Sequence, residues 1–232
     1  MVKGGRGRWN GQFRHRRLVE AEPMVFVIDD DKSIRKGLAR LLQSVGYNIE
    51  VFASGSDFLA RAEHLGPVCV IVDIRMPGLD GFEIQQALIL RGSGEQLIFL
   101  TGHGDVTQCV RALKGGAADF LAKPFSPDEL LQSVKCAVAR SAERKRTTLE
   151  GKEAQQLLNS LTPRQFQVMQ LVATGILSKQ IAFRLGISLR TVKEHRMLAM
   201  QKLGITSVVE LGGLIAKTER CGLSPACGPD EN

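Results

Sequence analysis

Cysteine is scarce in this chain, long apolar runs are missing, and no glycine-rich loop follows the first apolar segment. The five cysteines, Cys69, Cys109, Cys136, Cys221 and Cys227, are odd in number and scattered, with no histidine cluster beside them. That pattern argues against a disulfide framework and against a zinc site; Cys69, inside an apolar run, is expected in the core. No apolar stretch approaches the ~20 residues that cross a bilayer, and the first residues lack the apolar segment of a secretory signal. The expectation is a cytoplasmic protein with no membrane partner. Asp29-Asp30-Asp31 stands where a nucleotide-binding domain would carry its phosphate-cradling glycines, which disfavours that class.

What is present suits two small domains. The chain has 232 residues, 44% of them hydrophobic, long for a single compact core. Residues 1–22 carry six Lys/Arg against two acids, residues 23–140 twelve against fourteen, and residues 141–232 thirteen against eight. A basic second half suggests a polyanionic partner. Residues 1–22, rich in glycine and arginine and without periodicity, read as a disordered basic tail.

Between Met24 and about Arg140, short apolar runs alternate with helical patterns. Strands are expected at 24–29, 48–52, 68–72, 96–100 and 118–121, with helices at about 32–45, 55–64, 81–91, 105–115 and 127–142. Five such units make an α/β fold, a five-stranded doubly wound parallel sheet with right-handed crossovers. Residues 143–160, polar, helix-prone and interrupted by Gly151, read as a helical linker. Four short helical segments follow at about 163–174, 178–185, 189–203 and 207–217, punctuated by Gly175, Gly186 and Gly204. A helix pair joined by a tight turn is a helix-turn-helix. The predicted division is therefore a tail at 1–22, a sheet domain at 23–142, a linker at 143–160, a small all-α helix-turn-helix domain at 161–220 and a tail at 221–232.

The strands end on residues suited to phosphate chemistry. Met24–Ile28 stops at Asp29-Asp30, Val68–Val72 at Asp73, Gln96–Leu100 at Thr101, and Ala118–Ala122 at Lys123. Ligands bind outside the carboxyl ends of such strands, so three carboxylates, a hydroxyl and an ammonium are expected to converge. Carboxylates at short range raise each other's pKa, a penalty that a bound cation removes. Magnesium, or manganese in its place, takes oxygen ligands and bridges to phosphate. A carboxylate can then attack phosphorus while Lys123 balances charge and Thr101 hydrogen-bonds a phosphoryl oxygen. Taken singly, Asp30 or Asp31 reads more simply as the N-cap of the helix beginning near Lys32; the joint occurrence at four strand ends does not.

Four segments carry a resemblance: Ile28-Asp29-Asp30-Asp31, Asp73-Ile74-Arg75-Met76-Pro77-Gly78-Leu79-Asp80-Gly81, Thr101-Gly102-His103-Gly104-Asp105, and Asp119-Phe120-Leu121-Ala122-Lys123-Pro124-Phe125. In order and spacing they resemble the receiver domain of two-component response regulators, over residues 24 to about 140. The resemblance implies a flavodoxin-like receiver with Asp73 as phosphoacceptor and a magnesium ion held by Asp29, Asp30, Asp73 and the backbone carbonyl of Arg75. It also implies Thr101 and Phe120 as a switch pair, Lys123 as the phosphate contact, and a cis Lys123–Pro124 peptide.

In the second half, Thr162-Pro163-Arg164-Gln165 spells a capping box with proline at the first helical position. Along Ser188–Leu203, at about 100° per residue, Val192, Ala199 and Leu203 share one face, flanked by His195 and Arg196, while Arg190, Lys193, Glu194, Met197 and Gln201 project opposite. Residues 161–203 hold seven Lys/Arg and one acid, Glu194, a balance that suits phosphate contacts. Lysine can address guanine, glutamate cytosine, and methionine a thymine methyl. His195 reads as a packing or phosphate-contacting residue, since no second metal ligand lies nearby. The segments LTPRQ, LVATG, SKQIAFRLGIS and RTVKEHRMLAMQKLG resemble the LuxR-type helix-turn-helix, and the whole chain resembles the FixJ subgroup of the NarL/FixJ family. That resemblance implies base contacts at Lys193, Glu194 and Met197, with DNA-backbone contacts at Lys179, Thr191 and Arg196. Gln165 departs from the family's usual glutamate.

The expected function is a transcription regulator switched by phosphorylation: a sensor histidine kinase phosphorylates Asp73, and the receiver's state controls dimerisation and binding of double-stranded promoter DNA. Homodimer formation on phosphorylation and contact with RNA polymerase complete the expected partners. The chain is not expected to be an enzyme, beyond assisting its own phosphorylation and dephosphorylation. An aspartyl-phosphate phosphatase or phosphotransferase is the disfavoured alternative, because Arg75 stands where such phosphatases carry a second acid.

Overall fold

Unbroken apolar runs along the inner strands decide the first fold. The computed structural model describes residues 22–102 and 106–223; the expected tails up to residue 21 and from residue 224, with Cys227, lie outside them, as do His103, Gly104 and Asp105. Strands β1 (Met24–Ile28), β2 (Asn48–Phe52), β3 (Val68–Asp73), β4 (Gln96–Thr101) and β5 (Asp119–Ala122) form one parallel sheet in the order β2-β1-β3-β4-β5. Successive side chains leave a strand on opposite faces. Phe26, Ile28, Val70, Val72, Leu97 and Phe99 accordingly enter one core, and Val25, Val27, Cys69, Ile71, Ile98 and Leu100 the other. The three inner strands read as unbroken apolar runs because both faces are covered. β2, at one edge, is mostly exposed, with Asn48, Glu50 and Val51 facing solvent.

Helices α1 (Lys32–Ser44), α2 (Gly55–Ala60), α3 (Gly81–Arg91) and α4 (Val106–Lys114) connect successive strands, and α5 (Pro127–Asn159) follows β5. Asp31 caps α1, accepting from the backbone N–H of Ser33 at 2.6 Å and of Ile34 at 3.4 Å. α2 stops at Ala60, short of the expected residue 64, because Arg61 turns extended. Its guanidinium stacks on the rings of Phe26 and Phe58 at 4.1 and 4.2 Å and meets Glu95 at 2.5 Å.

α5 is one helix where a helix and an interrupted linker were expected. Gly151 does not break it; a Cβ there would meet Cys221 Cβ at 2.8 Å and the Lys217 carbonyl at 3.0 Å. The glycine marks a close approach of the last described helix, Val208–Arg220. The chain divides into two compact units between Arg146 and Thr147. In the second, α6 (Pro163–Ala173), α7 (Ser178–Leu185), α8 (Leu189–Leu203) and α9 (Val208–Arg220) enclose Phe166, Val168, Met169, Ile181, Val192, Ala199, Leu203 and Leu211. Gly186 ends α7 at φ +62°, a left-handed conformation open to glycine, and Ser188 caps α8 through the N–H of Thr191 at 3.0 Å. This tight turn makes α7 and α8 a helix-turn-helix. Among the described residues no single helix is long and apolar enough to cross a membrane.

Candidate functional site

The order of strands brings the carboxylates together. β1 and β3 are neighbours whose outgoing helices lie on opposite faces of the sheet, the switch point at which doubly wound folds bind ligands. Asp29 leaves the end of β1 and Asp73 closes β3. From the far side of β4, Lys123 reaches both: its Nζ donates to Asp73 Oδ2 at 2.5 Å and to Asp29 Oδ2 at 3.1 Å. The reach is fixed by the Lys123 backbone N–H, which donates to the Thr101 carbonyl at 2.7 Å. Asp29 also accepts from the Asp31 N–H at 2.8 Å, and Asp73 from the Arg75 N–H at 2.9 Å. The Lys123–Pro124 peptide is cis, as expected.

Burial separates the two acids. Asp29 is 1% exposed, and burial holds its carboxyl above the ordinary aspartate range against the lowering effects of the Asp31 N–H and of Lys123. For Lys123, burial favours the neutral amine, but the hydrogen bonds and charges of Asp73 and Asp29 outweigh it and raise its pKa. Asp73 keeps 14% of its side chain exposed, so an incoming group can reach it.

The remaining expected residues fall as follows. Thr101 is buried at the end of β4, and Phe120 packs half-buried against the core on the Phe99 side. Register pairs Phe99 with Phe120 and Thr101 with Ala122, and two-residue periodicity puts Thr101 on the Phe99 face. Asp30 is exposed. Among the described residues no three His, Cys, Asp or Glu side chains are gathered to hold a metal ion. The donor chemistry nevertheless fits a hard cation, since a nearly sealed carboxylate and a second on the next strand already share one positive charge.

Two residues at this edge escaped the sequence reading. Arg35, one turn into α1, donates from its guanidinium to the Asp29 carbonyl at 2.5 Å. Gly81 opens α3 against Asp73, whose carbonyl oxygen would lie 2.8 Å from a Cβ at that position. The helix expected at 81–91 forms, with Asp80 and Glu83 completing a capping box at its start, but its period gave no sign of this approach.

On α8, Val192, Ala199 and Leu203 are buried, while Arg190, Lys193, Glu194, Met197 and Gln201 are exposed. Thr191 and Arg196 are half-buried, and the Thr191 hydroxyl lies 2.8 Å from that of Ser188. Lys179 is exposed on α7. The Thr162–Gln165 capping box forms in both directions, at 3.0 and 3.3 Å, so glutamine serves where the family usually has glutamate.

An acidic phosphate-suited edge on a doubly wound sheet, followed in one chain by a basic helix-turn-helix, defines a receiver joined to a DNA reader. Residues 25–135 match the response regulator receiver domain, and residues 159–213 the luxR family of bacterial regulatory proteins. Nodulation protein W of Bradyrhizobium diazoefficiens is 39% identical over 220 residues, spanning 95% of this chain and 95% of its own. The transcriptional regulatory protein FixJ of Azorhizobium caulinodans is 39% identical over 202 residues, 87% of this chain and 94% of its own. Among solved structures, the response regulator StyR superposes with a TM-score of 0.74 at 43% identity, covering 85% of this chain and all of its own. The chain belongs to the NarL/FixJ family of two-component response regulators.

Proposed function

We propose that Asp73 takes a phosphoryl group from the phosphohistidine of a sensor kinase, and that the receiver's state then sets dimerisation and promoter binding. An Asp73 carboxylate oxygen attacks phosphorus; the P–O bond forms as the P–N bond breaks, and the imidazole leaves with the electron pair. The observation that carries this reading is the Lys123 ammonium shared by Asp73 and Asp29. It is a cation already placed where transferred charge develops. Magnesium or manganese, held by Asp29, Asp30, Asp73 and the Arg75 carbonyl, would offset the charge of the phosphoryl oxygens. Thr101 hydrogen-bonds a phosphoryl oxygen, and Phe120 repacks with it on the face they share. Hydrolysis of the acyl phosphate by water resets the switch, and Arg75 borders the path to it.

Lys193, Glu194 and Met197 read base edges in the major groove, with Lys179, Thr191 and Arg196 on the phosphates. The exposure of the first three supports this reading. The protein works in the cytoplasm as a dimer when phosphorylated, with RNA polymerase as a further partner at the promoter. Incubation with a phosphorylated sensor kinase tests the assignment: acid-labile label should enter the chain and disappear in Asp73→Asn. Label retained in that variant overturns it.

A further inference from the structure

We infer that Gln85 is a positioning residue that pins α4 in the unphosphorylated receiver and so sets how readily Asp73 chemistry switches the domain; this rests on the phosphoacceptor reading above. α4 is weakly held. Of its nine residues only Ala112 is buried, while Val106, Val110 and Leu113 are 75%, 44% and 48% exposed. A helix with one small buried side chain gains little from apolar burial, so its polar contacts decide where it rests.

Two of those contacts come from α3. Gln85 is 6% exposed, and its Nε2 donates to the Ala112 carbonyl at 3.0 Å. That carbonyl also accepts from the Ala117 N–H at 3.1 Å, so both its lone pairs are used where α4 gives way to the β5 approach. One turn away, the Arg111 guanidinium lies 4.1 Å from the Phe82 ring centroid. Gly115 completes the seat: a Cβ there would fall 2.6 Å from Gln85 Oε1 and 2.8 Å from Nε2, so glycine is what lets the amide reach its acceptor.

The seat connects to the phosphoacceptor through α3 itself. Gly81 packs on the Asp73 carbonyl and Phe82 stacks on Phe99 at 5.1 Å. The first turn of α3 is therefore fixed to the ends of β3 and β4, and Phe82 and Gln85 carry that anchorage on to α4. A rearrangement at Asp73 that moves α4 has to break the Gln85–Ala112 hydrogen bond. Without that bond the resting position loses one net hydrogen bond and the switched position loses none.

The test is a beryllofluoride titration of the full chain with magnesium, read by calorimetry, alongside Gln85→Leu and Asp73→Asn. The unaltered chain should bind this phosphoryl mimic and Asp73→Asn should not. Gln85→Leu should bind about fivefold more tightly, the order expected for one net hydrogen bond. Gly115→Ala should also tighten binding by displacing the amide, and should have no effect in a Gln85→Ala background. Unchanged or weaker binding in folded Gln85→Leu overturns the inference and leaves the phosphoacceptor reading intact. Absence of binding by the unaltered chain overturns both. A merely structural glutamine would lower the urea midpoint without moving the beryllofluoride affinity.

Discussion

Lys123 meets Asp73 at 2.5 Å across the width of β4, joining the ends of two strands that are not neighbours in the sheet. The contact pairs a lysine 21% exposed with a carboxylate 14% exposed. Removing the ammonium leaves Asp73 and Asp29 uncompensated while sparing the apolar core. Lys123→Met should slow phosphorylation by a small phosphodonor about a hundredfold, the scale of losing one charge-stabilising donor. Rates from phosphate-affinity gels check this, with circular dichroism confirming the fold.

Asp29 supplies a pH dependence of opposite sense to that of a paired surface acid. Burial raises its pKa, so the folded chain keeps the proton where the unfolded chain has lost it. Stability should therefore fall as pH climbs from the ordinary aspartate value to the raised one, and stay lower above it. Asp29→Asn should remove that fall. Urea midpoints of both proteins across the acid range decide it; parallel curves would refute the assignment.

The reading proposed for α8 separates specificity from general affinity. Lys193→Ala should cost about 1–3 kcal/mol on the preferred site and much less on random duplex. Lys179→Ala should weaken both alike and lower the salt slope by about one. Fluorescence anisotropy at several salt concentrations distinguishes the two behaviours.

Gly151 lies within α5 where α9 ends, and its neighbours leave no room for a methyl group. Gly151→Ala should destabilise the second unit by about 1–3 kcal/mol through overpacking, despite alanine's better helix propensity. Cys221→Ala should relieve this only in part, because the Lys217 carbonyl also lies 3.0 Å from the new carbon. A denaturation cycle of the four proteins measures the coupling.

The strand ends were legible because β1, β3 and β4 are buried on both faces and their apolar runs stop where the chain leaves the sheet. The buried face of α8 was legible for a similar reason, its 3.6-residue period. Asp29 and Asp30 look alike in sequence, yet Asp29 is sealed while Asp30, at the bend that follows β1, is exposed. Arg61 was opaque, because the end of α2 depends on a ring of β1 as well as one of its own, and on Glu95, 34 positions away. Gly151 was misleading, since a glycine that breaks a helix and one that admits a neighbour look identical in sequence.

The outer edge of β2 bears on self-association. A second chain adding a strand there would have to desolvate Glu50, exposed midway along β2. Charges on edge strands discourage such growth. The exposed acid thereby guards the receiver's open edge against strand-by-strand growth into fibres.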